Sequence, residues 1–223
     1  MDMKKLISLI LVVLLAMPAF AQYENSRKRS RFNHNDTEHY YGIRLGLNIA
    51  SMSSETVEFD MDSRTGLAFG GVFGFQLANS TPLWLETGLF YSEKGGKTHI
   101  PYIEEGRTLE QSQKVTARLC YLQAPVVVKY SFDVFDDFYI QPFLGGYLSL
   151  GVGGKTKYYG ERVSESSFDS FTRFDGGLRL GCGAEYKMVY AEIGFDFGLA
   201  DINKGDFDAI HTRNFFINVG VNF

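Results

Sequence analysis

Apolar side chains between Tyr40 and Phe223 recur at every second position, in eight separate runs. The last run is the clearest: Phe215, Ile217, Val219, Val221 and Phe223 alternate with Asn214, Phe216, Asn218, Gly220 and Asn222. A period of two is that of a β-strand whose faces meet different surroundings. The earlier runs span 40–51, 65–77, 83–92, 117–132, 138–152, 173–186 and 189–199. In the first of them Tyr41, Ile43, Leu45, Leu47 and Ile49 oppose Gly42, Arg44, Gly46, Asn48 and Ala50. Pro125 removes a ladder donor from its strand and predicts a bulge or a gap there.

The segments between the runs alternate in length. Those at 52–64, 93–116, 153–172 and 200–211 are long and polar, and those at 78–82, 133–137 and 187–188 are short. This predicts an all-β fold, an eight-stranded antiparallel up-and-down β-barrel in which the last strand pairs with the first and leaves no edge. Alternation alone fits either a soluble barrel with its apolar face inward or a transmembrane barrel with that face outward. Glycine placement separates them. Gly42, Gly46, Gly70, Gly74, Gly88, Gly145, Gly177, Gly181, Gly183, Gly194, Gly198 and Gly220 all lie on the polar face. A solvated surface gives no reason for residues that weaken strands, whereas a narrow lumen packed with side chains does. The polar face therefore points inward and the apolar face toward lipid. Tyr41, Tyr91, Tyr130, Tyr186 and Phe223 then stand near the membrane interfaces.

Residues 1–21 read as a secretory signal peptide. Lys4 and Lys5 precede an apolar core over 6–15, Pro18 ends it, and Ala19-Phe20-Ala21 is a small-x-small cleavage site. That core is short of the ~20 residues of a membrane helix. Residues 22–39 are polar, lack a hydrophobic period and include the basic run Arg27-Lys28-Arg29-Ser30-Arg31. They predict a flexible arm, either a solvated linker or a contact for lipid phosphates or a partner. Residues 40–223 form the barrel. A formal net charge of −4 gives no footprint for nucleic acid.

If the polar face is the lumen, it carries Arg44, Lys129 and Arg179 with Glu86, Glu185, Glu192 and Asp196. Facing lipid, an Arg or Lys would cost roughly 2–4 kcal/mol at the midplane. Inside a narrow barrel these groups must pair or stay hydrated. The two-residue turn at Lys187-Met188 sets Tyr186 opposite Val189, which places Gly183 against Glu192 and Arg179 against Asp196. Glu86 and Lys129 fall near the same ends of neighbouring strands and are expected to meet, leaving Arg44 the remaining carboxylates. With Phe90, Phe143, Tyr147 and Phe216 also inward, the lumen is expected to hold no continuous pore.

Other candidate chemistry is thin. His34, His39, His99 and His211 fall in the arm or in loops, none spaced from a serine as a nucleophile–base pair requires. Asp201, Asn203, Asp206 and Asp208 resemble a calcium loop in part, but Gly205 and Asp206 are transposed and no Glu closes the motif. A polar turn is the reading preferred. No catalytic, metal or cofactor site is expected. Cys120 and Cys182 fall on the outward face of non-adjacent strands and predict two free thiols.

Several segments resemble a known family. Gly42-Ile-Arg-Leu-Gly-Leu-Asn48, Leu89-Phe-Tyr-Ser-Glu-Lys-Gly95, Tyr121-Leu-Gln-Ala-Pro-Val-Val-Val-Lys-Tyr130, Gly177-Leu-Arg-Leu-Gly-Cys-Gly-Ala-Glu-Tyr186 and Gly194-Phe-Asp-Phe-Gly-Leu199 occur in an order along the chain. That order is similar to the outer-membrane β-barrel family abundant in Bacteroidetes, labelled porin family or PorT-like. Gln123-Ala124 replaces the family's Glu-Ile. The resemblance implies the cell outer membrane of a Gram-negative bacterium and outer-membrane lipids as neighbours; short periplasmic turns and long exterior loops then put both termini in the periplasm. The final strand, ending on Phe223, is similar to the strand the assembly machinery reads in such barrels. Members mostly lack an assigned activity and a few are tied to protein secretion. The readings carried forward are a structural or interaction barrel with an unidentified protein partner, a small-solute transport barrel, and, least favoured, a lipid-modifying enzyme.

Overall fold

The computed structural model describes residues 39–54, 62–77, 81–104, 107–159, 164–204 and 209–223. The signal segment and the arm up to residue 38 lie outside the described residues, as do Asp206 and Asp208. The strands are β1 (His39–Ser54), β2 (Asp62–Gln76), β3 (Leu83–Glu104), β4 (Arg107–Tyr130), β5 (Phe132–Phe135), β6 (Phe138–Tyr159), β7 (Ser164–Ser166), β8 (Phe174–Tyr186), β9 (Val189–Gly198) and β10 (Ile210–Asn222). β1, β2, β3, β4, β6, β8, β9 and β10 form an antiparallel ring, shut by the β1–β10 and β4–β6 pairings, while β5 and β7 add only short pairings to β6. This is the eight-stranded up-and-down β-barrel that the alternation predicts. Closure is complete to the chain end, where Phe223 N–H donates to Tyr41 O at 2.7 Å.

The pleat sorts the side chains as the alternation requires. On β1, Tyr40, Gly42, Arg44, Asn48 and Ala50 are shielded, and Tyr41, Ile43, Leu45, Leu47 and Ile49 are exposed. The same holds on every wall strand, so the outside is a band of Leu, Ile, Val and Phe; Leu144 and Leu148 are each 61% exposed. A band of this extent is stable against lipid and not against water. No helix among the described residues is long and apolar enough to cross a membrane.

Lumen glycines seat lumen aromatics. A Cβ at Gly74 would lie 2.2 Å from the Tyr40 ring, and one at Gly194 would lie 2.5 Å from Phe216 Cζ. The missing side chains are therefore volume that the aromatic rings occupy.

Four expectations need correction. The segment 93–116 is largely strand: β3 runs for 22 residues and β4 for 24, pairing as a long hairpin out to Glu104↔Arg107. Likewise β6 continues to Tyr159, and 164–170 hold β7 and a short helix, Ser167–Ser170. Hydrophobic alternation detects a strand only where one face meets an apolar phase; over 93–98 neighbouring positions are charged, hydroxylated or glycine on both faces, yet the backbone still pairs. β4 also stops at Tyr130, and 132–135 pair with β6 instead of forming only a turn. Finally, Cys120 is buried rather than lipid-exposed, beside the register shift between Cys120 and Tyr121. Cys182 is exposed, both thiols are free, and β6 lies between their strands. At Pro125 the β3–β4 ladder has a gap, and Thr87 Oγ1 donates to the Pro125 carbonyl at 3.0 Å.

Candidate functional site: the charged lumen

Inward-facing positions on β1, β3, β4, β8 and β9 bring charge into the lumen. Near the chain termini, Glu86 receives a hydrogen bond from Tyr40 OH at 2.5 Å and lies 2.8 Å from Lys129 Nζ and 3.6 Å from Arg44 Nη2. Lys129 also donates to Tyr190 OH at 2.7 Å and lies 4.0 Å from Glu192. The Arg44 guanidinium stacks over the Tyr190 ring at 3.9 Å and donates to the Val221 carbonyl. The carboxylate nearest Arg44 is thus the one already engaged by Lys129. At the same end, Glu185 accepts from the amides of Gln141 and Asn222 at 3.2 and 2.9 Å.

Further along, Arg179 stands opposite Asp196 in the β8–β9 ladder, with Nη1 3.3 Å from Asp196 Oδ1 and Nη2 3.7 Å from Glu192. Its guanidinium covers the Phe216 ring at 3.8 Å. Asp196 also accepts from Gln123 and Asn214, and Glu192 from Asn218 at 2.7 Å. Each of these charges is thereby paired, hydrogen-bonded or stacked, as burial requires.

A second cluster lies outside the set read from the sequence. Lys94 Nζ is 3.0 Å from Asp175 Oδ2, and both side chains are fully buried. Thr212 Oγ1 donates to Asp175 at 3.1 Å, Tyr147 OH lies 3.4 Å from it, and the ammonium sits 4.2 Å above the Tyr147 ring. Asp175 occupies an inward position next to Phe174 and was open to recognition. Lys94 falls in a segment read as loop, where no face can be assigned.

Beyond that pair the barrel end carries an apolar cluster of Met52, Ala117, Leu119, Tyr121, Phe168 and Ile202, with Phe171 and Ile210 against it. The short helix delivers Phe168, held by Ser167 Oγ donating to the Arg118 carbonyl at 2.9 Å. The loop behind it is clasped by Asp201, whose Oδ1 accepts from the N–H of Asn203 and Ile210 at 2.8 and 3.0 Å. Those two donors hold its carboxyl below the usual carboxylate range. Asp201 is thus engaged by backbone. Among the described residues no group of three or more His, Cys, Asp or Glu gathers as metal ligands. His39 packs on Tyr41 and Phe73, and His211 Nδ1 lies 3.2 Å from the Ala200 carbonyl. His34 and the side chain of His99 lie outside the described residues.

Between the charged layers, a void lined by Asn48, Phe90, Gln123, Arg179, Asp196 and Phe216 offers ≈ 10 Å³. One water needs about 10–15 Å³.

A model of the outer membrane protein beta-barrel domain matches residues 15–204. No curated protein sequence matches the chain. Solved structures with a similar fold include Ail, the attachment invasion locus protein of Yersinia pestis, in complex with the heparin analogue sucrose octasulfate. It shares 12% identity over 83% of this chain and 99% of its own, with a TM-score of 0.41. Neisserial surface protein A shares 16% identity over 82% and 97%, with a TM-score of 0.45. The outer membrane protein OprG from Pseudomonas aeruginosa shares 11% over 85% and 98%, with a TM-score of 0.40. None is near enough to transfer a role.

Proposed function

Since this chain belongs to the outer membrane protein beta-barrel domain family, we propose that it serves as a closed barrel of the outer membrane that acts by contact and not by conduction. In this reading the termini and short turns face the periplasm, the long β3–β4 hairpin and the Phe168 cap face the exterior, and residues 1–21 are removed on export. The periplasmic arm, with its basic run at 27–31, and the exterior hairpin are the surfaces offered to a protein partner, with secretion as the process. The chain is not an enzyme in this reading.

The observation that carries the proposal is the filling of the lumen. Arg44, Lys94, Lys129 and Arg179 pair with Glu86, Asp175, Glu192 and Asp196, while amides hold Glu185, and all nine are buried. A permeant ion would have to displace partners whose separation leaves a buried charge uncompensated, at roughly 3–5 kcal/mol each. A solute would have to unseat Phe90, Phe143 and Phe216 as well, each at most 5% exposed.

Proteoliposome swelling tests it. Vesicles carrying the folded barrel are expected to swell in small sugars and amino acids no faster than empty vesicles. Swelling that scales with protein content would replace this reading with small-solute transport. Affinity capture of the tagged full chain from native outer membrane, with and without residues 22–38, would show whether the arm or the hairpin holds the partner.

A further inference from the structure

We infer that the outer wall over β3, β4, β6 and β8 is a binding site for a phosphorylated outer-leaflet glycolipid of the lipid A class. The inference rests on the proposed orientation, with the long hairpin on the exterior side.

Above the apolar band, outward positions on three neighbouring strands carry cations. Arg118 on β4 is opposite Lys155 on β6, and one row further out Thr116 stands between Lys97 on β3 and Lys157 on β6. Lys155 and Lys157 are exposed and make no ion pair among the described residues, and the Arg118 side chain is 47% exposed. Glu93 engages Arg118 and Arg64, and Asp62 stands opposite Lys97. Four outward cations, Lys97, Arg118, Lys155 and Lys157, thus stand against two carboxylates among the described residues, on three strands about 4.8 Å apart and in two rows about 7 Å apart. A patch of that spread suits more than one phosphate.

Directly below, the wall is notched. A Cβ at Gly153, opposite Cys120, would meet nothing within 4 Å. Lower still is an open apolar groove of ≈ 410 Å³, lined among others by Ala124, Val126, Gly146, Leu148, Phe174 and Gly176. Gly146 and Gly176 interrupt the outward row of large side chains and create it. Arg118 and Ala124 are six residues apart on β4, about 20 Å along the strand. Cations, notch and groove therefore lie in the order that phosphate, sugar and acyl chain take in one lipid. Each Lys or Arg at such a surface contributes modestly to holding an anionic head group, and several act together.

Native mass spectrometry of the folded full-length protein, released from mixed micelles, tests the site. The probes are bis-phosphorylated lipid A, the same lipid with its phosphates removed, and phosphatidylglycerol. One retained lipid A is expected, with the other two lost. Lys155→Gln/Lys157→Gln should reduce retention about thirtyfold, and Gly153→Leu, which fills open space without touching the fold, should also reduce it. Unchanged retention in either variant, or equal retention of either control lipid, overturns the site. The heat-dependent gel mobility of the folded barrel is read in parallel; its absence in the wild type would count against the barrel reading itself.

Discussion

Removing Lys94 is the sharpest single perturbation of the lumen. Lys94→Met keeps the length and apolar stem of the side chain but deletes the ammonium that lies 3.0 Å from Asp175. Asp175 is left fully buried with only the hydroxyls of Thr212 and Tyr147. Breaking a buried pair on one side costs about 3–5 kcal/mol, because the remaining charge is uncompensated. Hydroxyl donors recover part of that, so the expected loss is about 3 kcal/mol. The double variant Lys94→Met/Asp175→Asn removes both charges and should recover most of it, to within about 1 kcal/mol of wild type. Urea unfolding of the barrel in lipid vesicles reads both. The chain has one tryptophan, Trp84, and it is buried in the lumen, so its fluorescence reports the interior. A loss below about 1 kcal/mol in the single variant, or a double variant no better than the single, would refute the account of this pair.

Gly46→Val should prevent folding or destabilise by more than about 1–3 kcal/mol, since a Cβ there would lie 2.0 Å from Asn218 Oδ1 and 2.2 Å from the Ile217 carbonyl; loss of the heat-sensitive folded gel band checks it. Leu148→Arg puts a charge on the lipid face, where Leu148 is 61% exposed, and should cost up to about 2–4 kcal/mol in vesicles; a variant as stable as the wild type would contradict the outward assignment. Asp201 has a depressed carboxyl pKa, so its clasp on Asn203 and Ile210 should be intact above the unfolded carboxylate value of about 3.9 and lost as pH falls through the lower folded value. The amide shifts of Asn203 and Ile210 should titrate together below that value; a midpoint above it would be wrong for this geometry.

Most of the wall was legible because lipid supplies one strongly apolar face to each strand. Where that phase ends, the signal ends: residues 93–104 remain strand, but nothing in their polarity distinguishes them from loop. For the same reason Lys94 went unplaced, and with it the pair to Asp175. The β8–β9 register was readable because a two-residue turn admits one alignment, and the ladder has Arg179 opposite Asp196. Arg44 could not be assigned a partner by counting, because Glu86 reaches it across the lumen rather than along a ladder. The Phe168 cap was invisible in the sequence. Its helix is four residues long and depends on contacts with β4 and β6 that no local pattern encodes.

The claim on which the account turns is that the lumen is shut by its own side chains. Planar-bilayer recording of the refolded full-length barrel measures this directly, with Phe90→Ala/Phe143→Ala/Phe216→Ala as a lumen-emptied comparison. The account predicts no stable open level for the wild type and openings only in the triple variant. A steady wild-type conductance would contradict it.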